Sequence, residues 1–125
     1  MNKEFVTKRV GELLRLNGFD IPTVYYYYKD SDEPYKTFAR SAYNWNSRDV
    51  EQCSAPTVQA AIDWVETKGY WIVYRPLNYD SGVDTYIYAA NDDKEWYAIK
   101  NFVTPTKYEG LNKALEFCLE KLIKQ

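Results

Sequence analysis

Between Lys3 and Asn17 the apolar positions Val6, Val10, Leu13 and Leu14 recur at helical spacing, while Lys3, Lys8, Glu12 and Arg15 take other faces. This pattern predicts a first helix over roughly Lys3 to Asn17. Asn17-Gly18 supplies its stop, because glycine adopts the left-handed conformation after a helix at little steric cost, and Pro22 blocks a return to helix. At Val24 the period changes. Val24 to Tyr28 is an unbroken β-branched and aromatic run that predicts a strand, with Val24, Tyr26 and Tyr28 on one face and Tyr25 and Tyr27 on the other. Asp30 to Pro34 reads as a polar turn, and a weaker extended segment from Tyr35 to Tyr43 is placed to pair back as a hairpin. Asn44 to Gln52 has the composition of a loop.

A second helix start is marked at Cys53-Ser54-Ala55-Pro56-Thr57, where proline suits a first turn and Ser54 or Thr57 can cap the open N–H groups. Val58, Ala61, Ile62 and Val65 form its stripe, with Trp64 at the edge and Gly69 at the stop. Three strands are expected next, over Tyr70 to Arg75, Asp84 to Ala90 and Glu95 to Asn101. Their short, turn-rich links favour an antiparallel meander, since a parallel crossover needs about a dozen residues or more. Thr106 followed by Glu109 is a capping box for a last helix, whose stripe is Leu111, Ala114, Leu115, Cys118 and Leu122. The fold class expected is α+β: an antiparallel sheet of three to five strands with three helices, in the order α-β-(β)-α-β-β-β-α, as one domain over residues 1–125.

Alternation within the meander separates two faces. Trp71, Val73, Thr85, Ile87, Ala89, Tyr97 and Ile99 make a mostly aliphatic set suited to packing under helices. Tyr70, Ile72, Tyr74, Tyr86, Tyr88, Trp96 and Lys100 fall on the other side. Composition sharpens this division. Thirteen of the 125 residues are tyrosine, more amphipathic ring surface than a core of this size needs. Tyr70, Tyr74, Tyr86, Tyr88 and Trp96, together with Trp45 in the Asn44 loop, are therefore the candidate binding surface. Tyrosine and tryptophan offer large contact area at low entropic cost and dominate interface hot spots. The competing reading makes the same rings cross-strand pairs and Trp45 a plug over the core.

Charge and missing residue types narrow the chemistry. The net charge is −2 and there is no histidine, the commonest general base and metal ligand. Nucleophilic catalysis by serine or cysteine ordinarily needs such a base. Cys118 lies on an apolar helical stripe; Cys53 stands before a helix start with no partner base. Asp30, Asp32 and Glu33 lack the glycine and distal glutamate of a calcium loop, and no glycine-rich phosphate loop is present. No metal or cofactor is expected. Nucleic acid would find rings to stack on but a thin basic frame of Arg75, Lys100, Arg40 and Arg48. The charged N-terminal segment and the lack of a long apolar run point to a cytoplasmic chain without a membrane span, and two cysteines without CxxC spacing agree with a reducing compartment.

Tyr43-Asn44-Trp45-Asn46-Ser47, Ser54-Ala55-Pro56-Thr57 and Asp63-Trp64-Val65 resemble a family of small uncharacterised proteins of phages, prophages and mobile elements in gut bacteria, which carries a YNWNS…SAPT…WL block. Leu16-Asn17-Gly18-Phe19 and Tyr108-Glu109-Gly110-Leu111 extend the resemblance, with Val65 in place of the usual leucine and Gly110 interrupting the terminal phrase. The resemblance implies a genomic setting and a fold, and it lends no catalytic residue. The function expected is thus non-enzymatic: an accessory protein binding a macromolecule, an unidentified protein or a second copy of itself. A nucleic-acid-associated protein stacking bases on tyrosine is the alternative, and a small enzyme with an unrecognised site comes third.

Overall fold

The computed structural model describes residues 4–36, 42, 44–47, 52–77, 82–90 and 93–123. Helix α1 is Lys8–Leu16, capped by Thr7, whose hydroxyl accepts from the Val10 N–H at 3.3 Å. It starts a turn later than the apolar pattern suggests, because Phe5 bridges to Thr57 in extended conformation and the Val6 N–H donates to the Pro56 carbonyl. Strand β1 is Tyr25–Tyr28, β2 is Tyr35–Lys36 and β3 is Gln52–Ser54. They form a small antiparallel sheet in the order β2-β1-β3. Strand β3 takes Gln52, the last residue of the stretch that reads as loop, together with Cys53 and Ser54, which the sequence pattern places at the start of the second helix. Three polar and small residues carry too little periodicity to announce it, and it exists because β1 offers it a ladder.

Helix α2, Val58–Thr67, begins at the Thr57 cap, whose hydroxyl accepts from the Ala60 N–H at 3.1 Å; Pro56 lies just before the helix. Gly18 and Gly69 follow α1 and α2 with φ of +86° and +100°, the conformation that lets the chain leave each helix sharply. Strands β4 (Tyr70–Pro76), β5 (Val83–Ala90) and β6 (Trp96–Thr104) form the second antiparallel sheet, in that order. Helix α3, Lys107–Phe117, opens at Thr106, whose hydroxyl accepts from the Glu109 N–H at 3.2 Å, and widens into a π-helical turn over Cys118–Leu122. The expected α+β class is present and the element order matches approximately: β3 is an additional strand, and the strands form two three-stranded sheets where the pattern predicts one. Of the extended segment expected from Tyr35 to Tyr43, residues 37–41 and 43 lie outside the described residues.

One core joins α1, α2, α3 and the second sheet. Val10, Leu14, Phe19, Val65, Ile87 and Leu115 are fully enclosed in it. Helix α3 lies on β5 at very short range. A Cβ at Gly110 would sit 2.8 Å from the Thr104 hydroxyl oxygen and closer still to that of Thr85, which has no hydrogen-bond partner among the described residues. Gly110 thus makes this approach possible. Gly110→Ala is expected to cost about 1–3 kcal/mol in urea unfolding, the range for overpacking a core. Adding Thr85→Ala, which removes the nearest obstacle, is expected to recover part of that loss; a strictly additive double variant would refute the steric account.

Candidate functional site

Helices α2 and α3 cover one side of the second sheet, and cross-strand register settles which residues lie there. Ile72 stands opposite Ile87, and Ile87 opposite Lys100; Tyr70 pairs with Ala89 and Tyr74 with Thr85. These residues share the helix side. The outer side carries Trp71, Val73 and Arg75 from β4, Asp84, Tyr86, Tyr88 and Ala90 from β5, and Trp96, Ala98, Asn101 and Val103 from β6. On β4 this inverts the expected assignment. Tyr70 is half-buried against the core with its hydroxyl reaching the Leu122 carbonyl, and Tyr74 lies on the helix side with the Lys107 ammonium 4.5 Å from its ring centre. Trp71 takes the outer place. The run Tyr70-Trp71-Ile72-Val73-Tyr74 is apolar at every position, so alternation within it gives no phase. The usable signal was Arg75: a charged strand residue belongs outside, and counting back by twos selects Val73 and Trp71.

On β6, Tyr97 and Ile99 hold the expected helix side and Trp96 the expected outer side. Lys100 does not follow, because the register shifts between Ile87 and Tyr88 and leaves Ile99 as an extra residue. Beyond that bulge the parity reverses, so Asn101 and Val103 face outward while Lys100 lies over the Phe102 and Phe117 rings.

The outer side holds a continuous row of rings. Trp96 and Trp71 meet edge-to-face at 5.6 Å between centroids, Trp71 and Tyr88 lie 6.4 Å apart, and Tyr88 and Tyr86 6.1 Å. Ala90, opposite Trp96, leaves room for the two indoles to meet across β5. Trp71 is 42% and Trp96 45% exposed. A polar quartet ends the row. The Arg75 guanidinium donates to the Tyr86 hydroxyl at 2.9 Å, the hydroxyl donates to one Asp84 oxygen at 2.7 Å, and the Asn101 amide donates to the other at 2.9 Å. Three of the six expected residues, Tyr86, Tyr88 and Trp96, therefore fall together. Trp71, Arg75, Asp84 and Asn101 complete the surface.

Trp45 belongs elsewhere. It is buried, stacked on Tyr26 at 3.9 Å, with its indole N–H donating to the Thr23 carbonyl at 3.0 Å. Its neighbour Asn46 donates to the Phe19 carbonyl and accepts from the Ser54 N–H, both at 2.9 Å. The Asn-Trp-Asn segment thus pins the first sheet in place. Tyr26, Tyr28 and Tyr35 gather beside it, and the Tyr28 contact is the main reason the Tyr26 phenol is pushed up to about 12.

Hydrogen bonds from Asn101 and then Tyr86 hold the Asp84 carboxyl below its usual range, and the bond to Asp84 raises the Tyr86 phenol. A depressed native pKa means Asp84 contributes stability above the unfolded carboxylate value near about 4, lost as pH falls through the native one. Asp84→Asn is accordingly expected to flatten the decline in urea stability between about pH 5 and pH 2. An unchanged decline in the variant would show that the carboxylate is not linked to folding.

Burial pushes the Cys53 thiol up to about 11 and Cys118 up to about 12, leaving almost no thiolate at neutral pH. Both cysteines are expected to resist iodoacetamide at pH 8 in the native protein and to label on unfolding in guanidinium; rapid native labelling of Cys53 would contradict this. No group of three or more metal-ligating side chains occurs among the described residues, and no described helix is long and apolar enough to cross a membrane. Arg40 and Arg48 lie outside the described residues. No family model, curated protein or solved structure matches the chain.

Proposed function

We propose that this protein is a non-enzymatic binding module that holds a macromolecular partner on the outer side of the β4-β5-β6 sheet. The observation that carries the reading is the row Trp96–Trp71–Tyr88–Tyr86 on the side of the sheet away from the helices, its two tryptophans exposed and its two tyrosines half-buried. Rings of this size left half in water are the residues that dominate binding energies when a partner covers them. Burial of both thiols and the lack of histidine support a role without catalysis. The resemblance of the Tyr43–Ser47 and Ser54–Thr57 segments to a phage and mobile-element family supports an accessory role in such a setting.

Electrostatics argues against nucleic acid as the partner. Arg75 and Asp84 are the only charged residues among the described strand positions of the outer side, and they are bridged through Tyr86. Phosphate backbones are gripped by uncompensated cations, which this surface lacks. In a gel-shift series with single-stranded oligonucleotides at about 50 mM salt, no retarded band is expected. Immobilised wild-type protein is expected to retain material from host lysate that a Trp71→Ala/Trp96→Ala variant releases. Tyr97→Ala, an exposed ring on the helix side of the same strand, serves as the control that keeps binding. Equal retention by the double variant would remove this face from the function.

A further inference from the structure

We propose that the outer sheet face is a binding site for a neutral glycan, an extended chain of uncharged pyranose rings. This rests on the reading of that face as the functional surface, and it names the ligand class. A pyranose carries an apolar face of C–H groups and a rim of hydroxyls, so it needs aromatic faces to lie on and paired donors and acceptors at its edge. The face supplies these in sequence. Trp96, Trp71, Tyr88 and Tyr86 follow one another at 5.6, 6.4 and 6.1 Å, with successive planes turned by 65°, 52° and 38°, a twisted row suited to successive rings of a chain that turns along its length. At its end stand Arg75 and Asn101, both exposed, the first rich in donors and the second carrying donor and acceptor.

Buried Asp84 fixes this end, accepting from Asn101 and from Tyr86, to which Arg75 donates. Such side chains meet hydroxyls without rearrangement, which lowers the ordering cost of binding. Charge selects among ligands. Among the described strand residues of this face the one cation is matched by the one carboxylate, so they complement an uncharged polymer and offer no net attraction to a polyanion. A protein partner would use the same tryptophans, and retention of a lysate protein in place of a neutral polymer distinguishes it.

The test is affinity electrophoresis of the purified chain through gels containing cellulose derivatives, xylan, mannan, glucan or soluble chitin, followed by calorimetry with oligosaccharides of the retarding polymer. Retardation by at least one neutral polymer is expected. Trp71→Ala and Trp96→Ala should each weaken binding about tenfold or more, and Tyr97→Ala should leave it unchanged. Unaltered thermal unfolding would show that the variants fold. Retardation by heparin or single-stranded DNA alone would overturn the charge argument. If no neutral polymer retards the protein while the two tryptophans are still needed to retain a lysate protein, the glycan assignment falls and the face remains functional. If they are needed for nothing, both readings fall together.

Discussion

The close seating of α3 on β5 is the constraint from which the rest of the architecture follows. Gly110 brings the helix backbone against Thr85 and Thr104 at a distance no side chain would allow. With α3 there, Leu111, Ala114 and Leu115 fill the space above Ile72 and Ile87, and α2 closes the side. One sheet face is thereby committed to the core. The other keeps its tryptophans in contact with solvent. Asn112, the residue after Leu111, carries the same seating to the N-terminal segment by accepting from the Thr7 N–H at 3.0 Å.

The two aromatic clusters of this chain solve different physical problems. Around Tyr26 the rings are stacked, hydrogen-bonded and partly covered by the Trp45 plug, so they supply to a three-stranded sheet the packing that its short strands cannot. A sheet whose strands have two to four residues would otherwise be marginal. On the meander the rings meet at oblique angles on strands of seven to nine residues, which the helices already stabilise. Those rings are not needed to complete a core, which is why we assign the proposed binding role to them.

Helix caps, turns and the element order were legible in the sequence because they depend on local chemistry. Thr57, Thr106, Gly18 and Gly69 each act within a few residues of their own position. The strand β3 and the half-turn around Trp45 were not legible, since they are held by partners such as Thr23 and Phe19 far along the chain. The candidate surface was read in part. Tyr86 and Tyr88 stood out because β5 alternates cleanly with Thr85, Ile87 and Ala89. Trp71 was hidden by an apolar run with no phase, and Asn101 by a bulge that reverses parity. Asp84 and Arg75 gain meaning only from being brought together across two strands.

The N-terminal segment is held by side chains from opposite ends of the chain. The Tyr27 hydroxyl donates to the Val6 carbonyl at 2.7 Å, while the Tyr108 hydroxyl donates to the Phe5 carbonyl at 2.8 Å across 103 positions. During synthesis, Phe5 and Thr7 therefore wait for partners made 103 and 105 positions later. Contacts of such separation slow folding, because the loop must close before the bonds reward it. Until α3 docks, the Phe5 carbonyl and the Thr7 N–H are without the Tyr108 and Asn112 side chains that bind them, so Phe5 and Val6, buried in the finished fold, are less enclosed in the nascent chain.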